Sequence, residues 1–93
     1  MSADPEYQLA IAATARRQLA AQLPEGIAFA AFEFINGPLI QSPHRVGKRL
    51  MPPLDDRFSA RRGTYRIVYR IDEANQVVIV LAIAPRSDVY RTH

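Results

Sequence analysis

Arginines alternate with apolar residues over one stretch in the second half of the chain. From Tyr65 to Ile71, aromatic and aliphatic residues hold every second position, and Arg66 and Arg70 lie between them. Successive side chains of a β-strand point to opposite faces, so this alternation predicts a strand with one apolar face and one face that carries arginines. A guanidinium on a rigid strand can hold two phosphate oxygens with little loss of entropy. The stretch therefore predicts a platform for an anionic group, with the Arg66 side chain pointing outward into solvent.

The positive charge of the chain is concentrated around this strand. Residues 44–70 contain eight Lys/Arg and two Asp/Glu, a balance of +6, while the rest contains four Lys/Arg and seven Asp/Glu, a balance of −3, and the two add up to the formal net charge of +3. Such segregation favours a local anionic partner over a generally basic surface. The alternative interpretation is a solvated loop that happens to be rich in arginine.

Other patterns that could carry chemistry are weak. The chain has no cysteine, which excludes disulfides and thiolate chemistry. Its two histidines, His44 and His93, lack a cysteine partner, so we do not expect a zinc site. Asp55 and Asp56 are interpreted as a loop or turn cap rather than as ligands of a divalent ion. The sequence therefore predicts neither a metal nor a cofactor.

Length and composition predict one small domain. The chain has 93 residues, 48% of them hydrophobic, which is enough for a single core over residues 1–93. No stretch approaches about 18 uninterrupted apolar residues, so a membrane span is not expected. The first six residues are acidic and lack the basic start of a signal peptide. We therefore expect a cytoplasmic protein.

Two helices are predicted after a short opening strand. The strand covers residues 7–11, and the first helix follows over 15–23 with Thr14 as its N-cap. Pro24 separates it from a second helix, which should end at residues 36–38, Asn-Gly-Pro. Because the two helices are so close in sequence, they should form an antiparallel hairpin. The predicted core positions of the second helix are Ile27, Ala30, Ala31, Phe34 and Ile35.

The rest of the chain predicts strands. Residues 39–54 contain several prolines and are interpreted as an irregular connection. Strands are then expected over 58–60, 64–71 and 77–83, the last apolar on both faces, followed by a tail that forms one more strand or turn. This order predicts an α+β fold, in which an N-terminal strand and an α-helical hairpin pack on one face of a small, mostly antiparallel sheet.

Three segments together resemble the RelE/ParE superfamily of bacterial toxins. Residues 13–24, Ala-Thr-Ala-Arg-Arg-Gln-Leu-Ala-Ala-Gln-Leu-Pro, resemble its first helix. Residues 43–50 followed by 61–69 resemble its basic strand, glycine turn and Tyr-Arg-aliphatic-aliphatic-Tyr pattern. Residues 86–90, Arg-Ser-Asp-Val-Tyr, resemble its C-terminal Arg-x-x-Val-Tyr ending. The resemblance is closer to the RelE side than to the ParE side, and it implies the RelE-like microbial ribonuclease fold.

This resemblance implies the toxin of a type II toxin–antitoxin system, an endoribonuclease that cleaves translated mRNA on the ribosome. In RelE-like enzymes the 2′-hydroxyl of the RNA attacks the adjacent phosphorus without a metal. Such chemistry needs groups that transfer protons and positive charge on the developing phosphorane. Arginine supplies the charge but is a poor acid or base, since its pKa lies above about 12.

The resemblance also implies which residues form the site. Arg66 corresponds to the strand arginine that contacts the scissile phosphate, and Tyr90 to a terminal tyrosine that stacks on a base or assists proton transfer. The full set of catalytic candidates is Arg61, Arg66, Arg86 and Tyr90. The residues predicted to bind RNA or the ribosome are Arg45, Lys48, Arg49, Arg57 and Arg62.

Departures from the family pattern leave other functions open. Arg57 and Arg61 stand where relatives often have lysines, and Pro85 stands where many have a histidine. The alternatives are a ParE-like toxin that inhibits gyrase without nuclease chemistry, and a degenerate member that still binds its antitoxin. The expected partners are a RelB-like antitoxin in a hetero-oligomer, the ribosome and mRNA. Phe29 and Phe32, which lie off the predicted core stripe, are interpreted as extra core or partner contacts.

Overall fold

A five-stranded sheet organises the part of the chain that the computed structural model describes, residues 6–85. The strand order across the sheet is β1-β5-β4-β3-β2. β1 pairs in parallel with β5, and the other three ladders are antiparallel. The strands are β1 (Gln8–Ile11), β2 (Lys48–Arg49), β3 (Phe58–Arg62), β4 (Tyr65–Asp72) and β5 (Val77–Pro85). The predicted α+β fold with a mostly antiparallel sheet is confirmed, and the arginine-bearing strand β4 lies in its middle.

Two helical segments connect β1 to the rest of the sheet. α1 (Ala13–Arg17) continues into a π-helical turn (Gln18–Gln22), and α2 (Glu25–Phe34) follows Pro24, as predicted. The predicted Thr14 N-cap is wrong: the helix begins at Ala13, and no side chain caps its first turn. Among the helices of residues 6–85, none has the length and apolar character needed to cross a membrane.

The second helix runs through Pro38 instead of ending before it, so the predicted stop is wrong. Proline lacks an N–H, and its ring collides with the carbonyl four residues earlier in a regular α-helix. A π-helical segment over Ile35–Leu39 widens the turn and accommodates the ring. The continuation buries Ile35 and Leu39 completely, which offsets the irregular turn with apolar burial.

The helices cover one face of the sheet. The predicted apolar face of β4 is confirmed, since Tyr65, Ile67 and Tyr69 are all buried. The helical residues buried in the same core are Ala15, Ala31, Phe34, Ile35 and Leu39. Ala30, which the spacing placed on the same stripe, is exposed. The two helices therefore rest on the Tyr65/Ile67/Tyr69 face, and the arginine face of β4 is the opposite one.

The connection between the helices and β3 is more ordered than predicted. Residues 39–54 contain α3 (Pro43–Val46) and β2, where the sequence indicated irregular structure. Pro43 occupies the first turn of α3, a position at which the missing N–H costs nothing. β2 then pairs with the start of β3. This connection matters because it forms one wall of the site described below.

We expect Ile67→Ala to lower the free energy of unfolding by about 2–5 kcal/mol, since it leaves a cavity at a fully buried position. Urea denaturation at constant temperature would measure the loss. Leu54→Ala is the control, because Leu54 is 42% exposed and its truncation should change stability by no more than about 0.5 kcal/mol. Equal losses for the two variants would contradict the assignment of the core face.

Candidate functional site

The strand register brings four polar side chains onto the face of the sheet opposite the helices. Lys48 pairs with Ser59 across β2 and β3, and Arg61 pairs with Arg66 across β3 and β4. Directly opposed residues of antiparallel strands project to the same face, and Ser59 and Arg61 are two positions apart on β3. All four side chains therefore share a face, which is the one that Ile67 does not occupy.

A cleft of about 370 Å³ opens over this face. Its lining residues are Val46, Gly47, Lys48, Arg49, Leu50, Ser59, Arg61 and Arg66. Lys48 and Arg61 are exposed, and neither forms an ion pair with a carboxylate among residues 6–85. The cleft thus presents a cationic lining that is available to an anion.

Arg66 is buried, contrary to the expectation of an outward side chain in solvent. Only 7% of the residue is exposed, and its Nη1 donates a hydrogen bond of 3.1 Å to the Ser59 hydroxyl oxygen. Alternation assigned Arg66 to the correct face of β4 but gave no information on what surrounds the middle strand. Arg66 is therefore an oriented guanidinium that lines the cleft, whereas Arg61 and Lys48 are exposed.

Two further predicted residues lie close to the cleft but have other contacts. Arg49 borders it, yet its guanidinium lies 4.9 Å from the centre of the Phe58 ring and donates to the Asp55 carbonyl at 2.7 Å. Arg57 precedes β3, and its Nε lies 3.7 Å from Asp56 Oδ1. The Arg49 hydrogen bond ties the 50–57 loop to β2, whereas the Arg57 contact lies within the loop. Both contacts leave less of either guanidinium for a ligand.

The remaining predicted residues lie elsewhere. Arg62 belongs to the helix side of the sheet, where its guanidinium lies 4.7 Å from the centre of the Phe34 ring. Arg45 lies on α3 beside a second pocket, which Tyr7 and His44 also line. Arg86 and Tyr90 lie outside the described residues. The structure therefore brings together Lys48, Arg61 and Arg66, with Arg49 at the border.

Ser59 is the site residue that sequence reasoning missed. It is 5% exposed and accepts the hydrogen bond from Arg66. The available pattern was its two-residue spacing from Arg61, which places both on one face of a strand. A serine among arginines has no distinctive pattern of its own, because its role depends on a partner on the neighbouring strand.

Known proteins match this chain over most of its length. The family model described as the ParE toxin of the type II toxin-antitoxin system parDE matches residues 7–90. Toxin RelE of Mycobacterium tuberculosis is 52% identical over 91 residues, which cover 98% of this chain and 93% of the relative. Toxin RelG of the same organism is 47% identical over 85 residues, covering 91% and 97%. The solved toxin–antitoxin complex RelBE2 from that organism is similar with a TM-score of 0.83 and 45% identity, covering 88% of this chain and 100% of that one.

Because Arg66 is buried and Arg61 is exposed, we expect truncation of the two cleft arginines to affect stability differently. Arg66→Ala should lower the free energy of unfolding by about 1–3 kcal/mol, because it removes buried packing and leaves the Ser59 hydroxyl without its donor. Arg61→Ala should change it by no more than about 0.5 kcal/mol, because Arg61 is exposed. Equilibrium urea unfolding of the two variants would test this, and an Arg66→Ala protein as stable as Arg61→Ala would show that the burial of Arg66 contributes nothing.

Proposed function

Since the chain belongs to the RelE/ParE superfamily of type II toxins, we propose that it is a ribosome-dependent endoribonuclease which cleaves translated mRNA. The observation that carries this proposal is the cleft lined by Lys48, Arg61 and Arg66. In the proposed reaction the 2′-oxygen bonds to phosphorus and gives up its proton, while the bond to the 5′-oxygen breaks and that oxygen takes up a proton. The products are a 2′,3′-cyclic phosphate and a 5′-hydroxyl end.

The cleft arginines supply positive charge for the phosphorane. Arg66 is held by burial and by Ser59, so it needs little reorganisation as negative charge develops on the phosphate oxygens. Its position away from bulk water also strengthens its interaction with an anion. Arg61, across the ladder from Arg66, adds a second guanidinium on the same face. The pair is suited to hold a phosphate between neighbouring strands.

Lys48 is our candidate for proton transfer. It is the only lysine in the chain, and it lines the same cleft as the two arginines. An ammonium group releases a proton more readily than a guanidinium, whose pKa lies above about 12. From sequence, Lys48 was predicted only to bind RNA or the ribosome. Its place opposite Ser59, on the arginine face, supports a part in the reaction itself.

The ribosome completes this mechanism by presenting the substrate. An mRNA already held in one conformation would spare the cleft most of the cost of orienting the scissile phosphate. Because the ribosome would orient the substrate, a few charged groups in the cleft would suffice for the reaction. Because translated mRNA is found in the cytoplasm, the protein acts there in this proposal.

Expression of the chain without antitoxin tests the proposal directly. We expect new 5′ ends within the coding region of a translated mRNA, and none in a matched copy whose start codon has been removed. Mapping 5′ ends of both transcripts after induction would measure this. Cleavage of both copies would remove the ribosome from the mechanism, and cleavage of neither would remove the nuclease function.

Lys48→Arg is the variant that separates charge from proton transfer in the same assay. It keeps the positive charge but removes the proposed proton-transfer group. We therefore expect cleavage to fall by about 10²–10⁴-fold. Arg17→Lys is the matched control, since Arg17 is exposed on α1 and should leave cleavage unchanged. Full activity of Lys48→Arg would assign the proton transfer to another group.

A second candidate function follows from the name of the family model. That model is described for ParE toxins, and the sequence resemblance left open a ParE-like toxin that inhibits gyrase. If this chain were ParE-like, induction would produce DNA breaks and an SOS response while mRNA stayed intact. The 5′-end mapping above therefore distinguishes the two candidates.

An antitoxin is the partner that the solved RelBE2 complex supports for this chain. Phe29 and Phe32 are 64% and 51% exposed on α2, and together with Glu33 and Asn36 they line a shallow depression of about 410 Å³. Adjacent exposed aromatic rings on one helix are typical of a protein contact. In the proposed complex, the antitoxin covers this surface of the helices, and an acidic segment of it lies near the cationic cleft.

The double variant Phe29→Ala/Phe32→Ala should weaken antitoxin binding by about 2 kcal/mol or more, as expected for aromatic anchors of an interface. Isothermal titration with the cognate antitoxin would measure the change. Met51→Ala is the control, because Met51 is also an exposed large apolar residue, at 82%, but lies in the loop before β3. Unchanged affinity of the phenylalanine variant would place the antitoxin contact elsewhere.

A further inference from the structure

One buried hydroxyl contacts both ends of α3. The Tyr69 hydroxyl donates a hydrogen bond of 2.6 Å to the carbonyl of Pro43, the first residue of this four-residue helix. Gly47, the residue that follows the helix, passes so close that a Cβ there would overlap the Tyr69 hydroxyl and lie 3.0 Å from the Ser59 carbonyl oxygen. The backbone of Gly47 is extended, with φ −133°, so any residue could adopt it. Glycine is required at this position because a side chain would not fit, and not because of the backbone conformation.

Tyr69 is a rigid point of attachment. It is fully buried on the middle strand, and its ring stacks on that of Phe58 with 5.5 Å between the ring centres. Burial raises the pKa of the Tyr69 hydroxyl further above its ordinary value, which keeps it protonated and able to donate. The hydrogen bond to Pro43 therefore joins the core of the sheet to α3 throughout the physiological range of pH.

This attachment determines where the cleft wall stands. Gly47 lines the cleft, and Lys48 follows it directly as the first residue of β2. β2 has only two residues, so its pairing with β3 fixes the segment weakly.

α3 has further contacts through His44. Its Nε2 lies 2.5 Å from Glu73 Oε2, but both side chains are more than half exposed, and such pairs contribute little. The His44 ring also contacts the rings of Tyr7 and Phe58 edge-on, and these contacts hold the start of the helix rather than the Gly47 end.

We propose that Tyr69 is a positioning residue for the cleft. Its hydroxyl, together with a glycine at position 47, fixes the position of the backbone between α3 and β2, and thereby the position of Lys48. The effect on RNA rests on the proposed function, whereas the effect on Lys48 does not. Tyr69 acts from the helix side of the sheet and does not itself line the cleft.

Lys48 offers a direct measurement, because it is the only lysine and ¹³C-lysine labelling gives one set of side-chain signals in an NMR spectrum. We expect Tyr69→Phe to shift or broaden these signals relative to those of the wild-type protein. Tyr65→Phe is the matched control, since Tyr65 is a buried tyrosine on the same face of the same strand and is not a contact of Gly47. Signals unaltered in Tyr69→Phe, or altered equally in Tyr65→Phe, would overturn the proposal.

The pairing of hydroxyl and glycine gives a second test by double substitution. Gly47→Ala should displace the Lys48 signals more strongly than Tyr69→Phe, because the new methyl group collides with the hydroxyl. Gly47→Ala/Tyr69→Phe removes that hydroxyl but keeps the ring carbon at 3.1 Å and the Ser59 carbonyl oxygen at 3.0 Å from the new Cβ. Its Lys48 signals should therefore return part of the way toward those of Tyr69→Phe. A double variant that stays at the position of Gly47→Ala, or that unfolds when Tyr69→Phe does not, would overturn the matched pair.

Binding of a 2′-O-methyl oligoribonucleotide, which cannot be cleaved, connects position to function. We expect Tyr69→Phe to bind this probe about tenfold more weakly, while Tyr65→Phe binds it normally. Equal affinity of both variants together with displaced Lys48 signals would overturn the functional part alone. If the wild-type protein did not bind the probe, the proposed effect of Tyr69 on RNA binding would be overturned. Ribosome-dependent cleavage is decided separately by the 5′-end mapping, and the positioning role by the NMR comparison.

Discussion

The burial of Arg66 beside Ser59 is the interaction on which the cleft depends. A guanidinium taken out of water costs free energy unless hydrogen bonds replace its hydration, and the Ser59 hydroxyl provides one of them. The opposite face of β4 provides the stability that makes such a cost tolerable, since Ile67 and Tyr69 are fully buried under the helices. β4 therefore contributes side chains both to the core and to the cationic cleft. The alternation of its side chains determines which of the two faces each residue occupies.

The rest of the sheet fixes this strand in place. β4 is flanked by β3 and β5, so its backbone hydrogen bonds are satisfied on both sides. The ladder with β5 shifts register between Val68 and Tyr69, which allows both Ile83 and Val80 to face the core although they are three positions apart. Without that irregularity the apolar run of β5 would turn one of the two toward the cationic face. The bulge thus keeps the two faces of the sheet chemically distinct.

Local periodicity predicted those parts of the fold that depend on neighbours along the chain. The apolar face of β4 and the helical hairpin follow from spacings of two and three to four residues, and both are present. The passage of the second helix through Pro38 was not predictable, because it depends on burying Leu39 against distant strands. The burial of Arg66 and its pairing with Ser59 likewise arise from the sheet order. The convergence of Lys48 with Arg61 required β2, a strand too short to give a pattern.

The chemistry of the cleft also limits what it can recognise. Within residues 6–85, its charged groups and its one hydroxyl are suited to phosphate oxygens, which are alike in every nucleotide. A guanidinium such as that of Arg61 can stack on a base, but such stacking tolerates every base because each has a π-face. A nuclease built on this cleft would therefore take its choice of site from how the RNA is presented, rather than from its own contacts. The proposed cleavage of an mRNA held in the ribosome would satisfy that requirement, since the ribosome would then determine which phosphate reaches the cleft.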